Sequence, residues 1–419
     1  MIYRVIFFTL LIGGLFMGSL VGAQDPPANQ AQNVYTLQTI LDLALEQNPV
    51  IAARQGSLAQ RRGQQLTAKA YPNPTLSVSS GRGKIRDPSN GMSQIERSVT
   101  MSQPLEWPLM RAARQKAAEA GVQEGQAAIL LTKLNLTADT KKAFFALLLA
   151  QTKRDLANKM LTTVHELGRA VRRRVESGEA PPFEAVKVQV ESLQVQKEVT
   201  RVLGTLLAAR ASLNAVTAGA LGPDFSIQGK FLAWPGDLQV DEVSKRSVQH
   251  HPLIDKLKML VSEARQRHIQ EQQARVPTFT MSGSFQRDTG RQGFVGGLSV
   301  PLPLWSLREG KIAQALGAQR QAEANLLHAQ NNLVKRITQN YQLSRAAAGQ
   351  LTTYEEGLLK QAREAMRIAK VSFRFGEASL LEVLDAQRVL WQTLSGYAQA
   401  RYDLSIALAE LERSAGPLS

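Results

Sequence analysis

Two acidic residues, Glu382 and Asp385, lie three positions apart shortly after Gly376. On a helix, residues at this spacing share one face, so the two carboxylates are expected to lie close together. Carboxylates that lie close together attract cations. A structural interpretation is equally simple, because acidic side chains in the first turn of a helix stabilise the helix dipole. Both interpretations stay open from the spacing alone.

Motifs of common enzymes are incomplete in this sequence. A glycine–lysine pair ending at Lys311 is followed by Ile312, where a phosphate-binding loop needs Ser or Thr. Three histidines lack the spacing and acidic neighbours of a metal site, and the adjacent pair among them is typical of the start of a helix: His250, His251 and His268. The chain has no cysteine, which excludes disulfides, thiolate ligands and a cysteine nucleophile. We therefore predict no catalytic residues, no metal ligands, no cofactor and no enzyme activity.

The elements that position the carboxylates belong to an internal duplication. Three pairs of segments recur in the same order: 48–51 with 251–254, 74–79 with 277–282, and 178–180 with 376–378. We predict a first repeat over residues 24–221, a linker rich in proline and glycine over 222–239, and a second repeat over 240–419. Each repeat contains the same series of two helices, two strands, a long helix, a tip and a closing helix.

Hydrophobic periodicity and the positions of glycine and proline set the predicted bounds. In the first repeat these are helices over 37–47 and 50–70, strands over 75–86 and 93–103, a long helix over 108–176, a tip over 174–184 and a helix over 183–218. In the second repeat they are helices over 241–249 and 253–275, strands over 277–287 and 292–302, a long helix over 307–373, a tip over 374–380 and a helix over 380–415.

The predicted strands alternate apolar and polar residues with a period of two. Phe279 and Met281, for example, alternate with Thr280 and Ser282. Each strand has about ten residues, the length that crosses a bilayer when tilted. A soluble sheet with one wet face has the same pattern, so the alternation leaves both alternatives open. If the strands cross a membrane, at least two copies of the chain must share one barrel, because the smallest bacterial barrels use about eight strands.

The two long helices are free of proline and rich in Ala, Leu, Gln, Lys, Glu and Arg. A helix of about 65 residues is roughly 100 Å long, so it cannot form a core by itself. Apolar residues recur at a coiled-coil spacing of three or four along the first: Leu156, Met160, Val164, Leu167, Val171 and Val175. The sequence therefore predicts long helical hairpins that pack on further helices.

The N-terminus is typical of a secretory signal. Arg4 precedes an apolar run over residues 5–20, and small residues follow it. We predict a signal peptide over 1–23, cleaved between Ala23 and Gln24; a membrane anchor is the alternative. The net charge is +15, but the basic residues are spread along helices with acidic residues between them. We therefore predict solvated helix faces and no nucleic-acid partner.

Several landmarks together carry a family resemblance. They are Leu43-Ala44 with Asn48-Pro49, Tyr71-Pro72-Asn73-Pro74, Gln103-Pro104-Leu105, Pro301-Leu302-Pro303-Leu304 and the two glycine tips. The chain resembles the TolC family of outer-membrane efflux proteins over essentially its whole length after the predicted signal. Segments 71–76 and 298–312 are most similar to the heavy-metal, CzcC-like branch.

The resemblance implies a mainly α protomer with a small β part, made of long α-hairpins and four strands. Three copies would share one twelve-stranded outer-membrane β-barrel in contact with lipid, continued by an α-helical tunnel in the periplasm. It also implies a periplasmic adaptor and an inner-membrane pump of the RND type as partners. The duct would passively conduct heavy-metal cations or drugs. A type I protein-secretion duct and a periplasmic coiled-coil adaptor or scaffold are the alternatives.

The resemblance also implies roles for particular residues. The family gate carries a carboxylate pair at the position of Glu382 and Asp385, and threefold symmetry would turn each residue into a ring. The first repeat has Lys187 where the second has Asp385, so the gate would be asymmetric between the repeats. The tip positions are expected to contact the adaptor: Gly178, Glu179, Ala180, Gly376, Glu377 and Ala378.

Overall fold

A computed structural model describes residues 33–84, 93–236, 239–288 and 291–416. The predicted cleavage site at Ala23 and Gln24 lies outside these ranges. The first half contains β1 (Asn33–Tyr35), α1 (Leu37–Gln47), α2 (Pro49–Lys69), β2 (Thr75–Lys84), β3 (Ser93–Leu105), α3 (Pro108–Glu176) and α4 (Pro182–Val216). The second contains β4 (Phe225–Ile227), α5 (Val240–His250), α6 (Pro252–Gln273), β5 (Phe279–Asp288), β6 (Arg291–Ser299), α7 (Glu309–Thr353), a π-helical turn (Tyr354–Leu358), α8 (Leu359–Arg374) and α9 (Leu380–Ala415). The prediction of a mainly helical chain with a small β part is confirmed.

Heptad packing holds the long helices together. Four buried residues of α3 recur every seven positions: Ala150, Ala157, Val164 and Val171. Three buried valines of α4 have the same spacing: Val188, Val195 and Val202. A strict seven-residue repeat keeps the apolar seam of each helix facing its partner. The hairpin α3–α4 is thus a coiled coil. Of the residues predicted for its α3 seam, Val164 and Val171 are buried, and Met160, Leu167 and Val175 pack partly buried beside them.

Four antiparallel strands form one sheet in the order β2-β3-β5-β6. The central pair, β3 with β5, joins the two repeats, with Val99 opposite Phe285 and Leu105 opposite Phe279. The four strands of this sheet lie at one end of the long helices α3 and α7. The hairpin tips lie at the other end. A separate parallel pair, β1 with β4, covers a core that includes Phe144, Phe145 and Phe225.

Several element bounds differ from the predicted ones, and for β6 and α7 the reason is identifiable. The strand predicted over 292–302 ends at Ser299, because Pro301 and Pro303 have no N–H to donate to a ladder. The helix predicted over 307–373 begins at Glu309, after Arg308 in the left-handed conformation with a φ of 64°. The same helix is interrupted by the π-helical turn. The strand predicted over 75–86 is described as far as Lys84.

The π-helical turn is accommodated by a glycine on the neighbouring helix. The Tyr354 hydroxyl lies so close to Gly396 of α9 that a Cβ at position 396 would be 2.4 Å from it. The Tyr397 hydroxyl donates to the Glu355 carboxylate at 3.0 Å on the same level. π-Helical turns are uncommon and insert one extra residue into a helix. Neither a proline nor a glycine motif in α7 predicts this π-helical turn.

Candidate functional site

The two tips have the same backbone geometry. In the first, the N–H groups of Glu179 and Ala180 both donate to the Arg174 carbonyl, at 2.8 and 3.1 Å. In the second, Glu377 and Ala378 donate to the Ser372 carbonyl at 2.9 and 3.3 Å. These bonds satisfy carbonyls that the end of a helix leaves unpaired.

The preceding glycines explain how the chain reverses. Gly178 has a φ of 78° and Gly376 a φ of 76°, a left-handed conformation that a side chain disfavours. Apart from each glycine's own chain neighbours, none of the described residues has a heavy atom within 4 Å of a Cβ built on either glycine, so backbone strain and not crowding opposes a larger residue. The sequence-based expectation that glycine permits these turns therefore has a direct geometric basis.

The tips lie side by side because the two hairpins share a core. Val171 and Val188 of the first hairpin pack with Phe373, Leu380 and Leu384 of the second. The Arg174 guanidinium lies 4.9 Å from the centre of the Phe373 ring. A salt bridge of 3.6 Å between Lys370 and Glu166 also crosses between the hairpins. The structure therefore brings the two predicted tip segments together into one surface.

The predicted adaptor-contacting residues differ in exposure. Four of them are exposed: Gly178, Glu179, Gly376 and Glu377. Ala180 is only 9% exposed, and Ala378 is half-buried against the shared core of the hairpins. The surface available to a partner at the tips thus consists of the two glycine–glutamate pairs, while the alanines support the turns from inside.

The two predicted gate carboxylates have different environments. Glu382 belongs to a capping box: its carboxylate accepts the Ser379 N–H at 2.8 Å, and its own N–H donates to the Ser379 hydroxyl at 3.4 Å. Asp385 has a side chain that is 65% exposed and lies 3.7 Å from the Arg388 guanidinium. Glu382 therefore has a structural role at the start of α9, whereas Asp385 is held by one exposed ion pair.

The first hairpin has Lys187, a positively charged residue, at the position equivalent to Asp385. Its ammonium lies 5.8 Å from the Phe183 ring. A cation over an aromatic face is weakly attracted to it. The two hairpins thus present opposite charges at equivalent positions.

The four-stranded sheet has two chemically distinct faces. Cross-strand partners share a face, and the register gathers the apolar residues on one of them. This apolar sheet face is exposed and contains Leu76, Val78, Val99, Met101, Met281, Phe285, Phe294 and Leu298. Small hydroxyl residues cover the other face, where Thr75 and Ser102, and Ser79 and Ser98, are hydrogen-bonded at 2.7 and 2.8 Å.

An apolar stripe on α4, which we call the α4 seam, was not predicted from the sequence. It consists of Phe183, Val186, Val190 and Leu193, all exposed, on the side away from the buried valines of the same helix. The alternating spacing of three and four was a readable coiled-coil signal. A second exposed set lies at the end of α8: Ile368, Val371 and Phe375. An exposed apolar stripe of this kind indicates a contact with another helix.

Within the described ranges, no group of three or more His, Asp or Glu side chains could hold a metal ion. None of the helices in those ranges is both long enough and apolar enough to cross a membrane. His251 starts α6, as predicted: its Nδ1 accepts the Leu253 N–H at 3.1 Å.

Comparisons with known proteins agree with this architecture. A family described as outer membrane efflux protein matches residues 40–219 and 243–417. The cobalt-zinc-cadmium resistance protein CzcC of Cupriavidus metallidurans is 29% identical over 382 residues, which are 88% of this chain and 87% of that protein.

Solved structures share the fold. A membrane protein from Pseudomonas aeruginosa superposes with a TM-score of 0.79 at 16% identity, covering 94% of this chain and 96% of the other. CusC superposes with a TM-score of 0.76 at 16% identity, covering 94% and 95%.

Proposed function

The chain belongs to the family of outer membrane efflux proteins, and from this premise we propose that it is the exit duct of a tripartite system that exports heavy-metal cations. The family consists of efflux ducts and not of enzymes, so the protein is an outer-membrane channel with a helical tunnel in the periplasm. Heavy-metal cations as the substrate are supported by the similarity to the cobalt-zinc-cadmium resistance protein over 88% of the chain.

A homotrimer is the proposed assembly. The observation that carries it is the four-stranded sheet with an exposed apolar face, because such a sheet has two open edges, at β2 and β6. Unpaired backbone groups in hydrocarbon cost several kcal/mol each, so the edges need partners from other copies. Three copies would supply twelve strands, an even number within the range of bacterial barrels.

The exposed helical stripes support the same assembly. The α4 seam lies on the first hairpin, and Ile368, Val371 and Phe375 lie on the second. If α4 of one copy packs on α8 of the next, every copy uses both stripes and a closed ring forms. Both stripes lie toward the tips, so this contact would close the periplasmic end of the tunnel.

Adaptor and pump are the proposed partners, with the adaptor at the tips. The exposed glycine–glutamate pairs, Gly178-Glu179 and Gly376-Glu377, form the surface farthest from the sheet. Asp385 is the proposed gate carboxylate, three copies of which would attract cations at the narrow end. The conducted ion is substrate and needs no resident site, since conduction requires release.

A deletion strain tests the substrate and the tip together. Loss of the gene should increase sensitivity to cobalt, zinc and cadmium several-fold, and the wild-type gene should restore resistance. Complementation with Gly376→Val should fail at normal outer-membrane abundance, because the tip needs a positive φ. Gly317→Val is the matched control, since Gly317 is an exposed glycine of α7 and no described residue outside its own stretch of helix backbone comes within 4 Å of its Cβ position.

Unchanged metal sensitivity of the deletion strain would contradict the proposed substrate. If a secreted protein is lost instead, the protein-secretion alternative is correct. If Gly376→Val restores resistance as well as Gly317→Val, the tip is not an adaptor contact.

A further inference from the structure

Three arginines interrupt the apolar sheet face at its far end. Arg97 lies directly opposite Arg287 across β3 and β5. Arg82 lies opposite Ile95, two residues along β3 from Arg97. Because residues at even spacing and cross-strand partners share a face, all three point to the side of Val99 and Phe285. We call these three exposed side chains the basic row.

Among the strand residues that the structure describes, no acidic residue shares a face with the basic row. Among the described residues of the sheet, the acidic ones are Glu96 and Asp288, and the register assigns both to the opposite, hydroxyl-rich face. Directly opposed strand residues are separated by roughly 5 Å at Cα, and like charges in that position repel. An anion from outside the protein would relieve this repulsion.

The position of the basic row matches the border of a membrane. At the end of the sheet next to the helices, Tyr71 is 67% and Trp305 is 93% exposed, as in the aromatic belt at a membrane interface. Arg97 and Arg287 lie eight residues along their strands from Leu105 and Phe279. At about 3.4 Å per residue and a tilt of about 40°, this is roughly 20 Å of height, close to the apolar band of about 25 Å in outer-membrane barrels.

The chemistry of the basic row favours a phosphate group that belongs to a lipid. Guanidinium groups bind phosphate oxygens in a bidentate manner and are favoured for this purpose over ammonium groups. The row continues directly into Val99, Phe285 and Phe294, which acyl chains of the same ligand would cover. A free phosphate ion would gain nothing from this apolar surface.

Resting on the proposed function, we propose that the basic row binds the phosphate groups of anionic lipids in the outer leaflet. The bound lipid would cover the distal end of the apolar sheet face. Each protomer carries one such site, formed by β2 and β3 of the first repeat with β5 of the second.

The test uses the full-length protein reconstituted in phosphatidylcholine vesicles that contain a minor fraction of diphosphoryl lipid A. The lipid retained after mild detergent extraction is quantified by mass spectrometry. The triple variant Arg82→Gln, Arg97→Gln, Arg287→Gln should retain on the order of 100-fold less lipid A at subsaturating amounts, since each basic residue contributes about fivefold. Arg291→Gln is the control for a single arginine, because it removes one guanidinium from the opposite face of β6 and should leave lipid A retention unchanged.

Equal retention by the triple variant and the wild type would overturn the site. Displacement of lipid A by excess inorganic phosphate would show a free-phosphate site and overturn the lipid assignment. Conductance of the same vesicles separates this result from the proposed function. A wild type that inserts and conducts but has no preference for lipid A contradicts only the lipid site, whereas a wild type that does not insert contradicts both.

Discussion

At the level of single residues, the structure separates two carboxylates that the sequence presents as a pair. Glu382 accepts the Ser379 N–H and so completes the start of α9, whereas the Asp385 carboxylate lies beside the exposed Arg388 guanidinium. The Ser-x-x-Glu spacing is itself a capping-box signature and could have assigned Glu382 its structural role. The spacing could not show that Asp385 pairs with Arg388. On a helix, residues three or four positions away on either side of Asp385 are all possible partners.

This difference predicts unequal effects on ion selectivity. Asp385→Asn should lower the cation selectivity of the reconstituted channel, because it removes one charge per copy from the proposed gate. Glu382→Gln should have a smaller effect and leave the structure intact, since an amide oxygen can also accept the Ser379 N–H. The reversal potential in a potassium chloride gradient measures both.

Arg388→Gln provides a control with the opposite sign. Removal of this guanidinium, 3.7 Å from Asp385, should raise cation selectivity. If the reversal potential is the same in all three variants and the wild type, Asp385 does not line the pore.

At the level of elements, the two repeats connect their helices in the same way with different residues. Asn48 starts α2 by accepting the Val50 N–H at 3.0 Å and donates to the Val216 carbonyl of α4 at 2.7 Å. His251 starts α6 in the same manner, and its Nε2 lies 3.2 Å from the Arg413 carbonyl of α9. In that arrangement Nε2 carries the proton and Nδ1 accepts, so protonation of Nδ1 would remove the cap of α6.

Because neutral His251 caps α6, we expect the folded protein to lose stability in acid. Burial lowers the pKa of His251, and the hydrogen bond to the Arg413 carbonyl opposes this in part. The unfolded chain thus takes up the proton first as the pH falls. The contribution of neutral His251 is complete above the ordinary histidine pKa of about 6.5 and is lost progressively below it.

Thermal unfolding of the detergent-solubilised protein at several pH values measures this effect. His251→Asn introduces the residue that the first repeat uses and should make the midpoint less sensitive to pH below neutrality. His165→Asn, at an exposed position of α3, controls for the loss of an imidazole. The same pH dependence in His251→Asn and wild type would contradict the role of His251.

Most elements could be predicted because their signals are local. The alternation in β5, the glycine of each tip and the starts of α2 and α6, predicted one residue after Pro49 and Pro252, each follow from one residue and its neighbours. The π-helical turn depends on Tyr354 meeting Gly396, which are distant in the sequence, so no local pattern announces it. The end of β6 at Ser299 could have been read from Pro301, whose missing N–H is a local signal.

At the level of the whole molecule, apolar surface is left over after the single chain has folded. Helix α4 is apolar on two sides, with Val188, Val195 and Val202 buried against α3 and the α4 seam exposed. Internal repeats in the sequence show how one protomer is built. Contacts with other copies show in the sequence only as more apolar residues than one hairpin can bury. Without a structure, residues of the α4 seam are therefore easily mistaken for core residues of the hairpin.

The α4 seam predicts that a single charge can prevent assembly. Val190→Glu should dissociate the trimer, because a carboxylate buried without a partner costs more than the roughly 1.5–3 kcal/mol gained by burying one such apolar side chain. Gln189→Glu is the matched control, since it adds the same charge at the adjacent exposed position, which flanks the seam where coiled coils tolerate charge. Native mass spectrometry of the detergent-solubilised protein should give monomers for Val190→Glu and trimers for Gln189→Glu and wild type. An intact trimer of Val190→Glu would mean that the α4 seam does not lie between copies, and the exposed residues of α8 would then need a different partner.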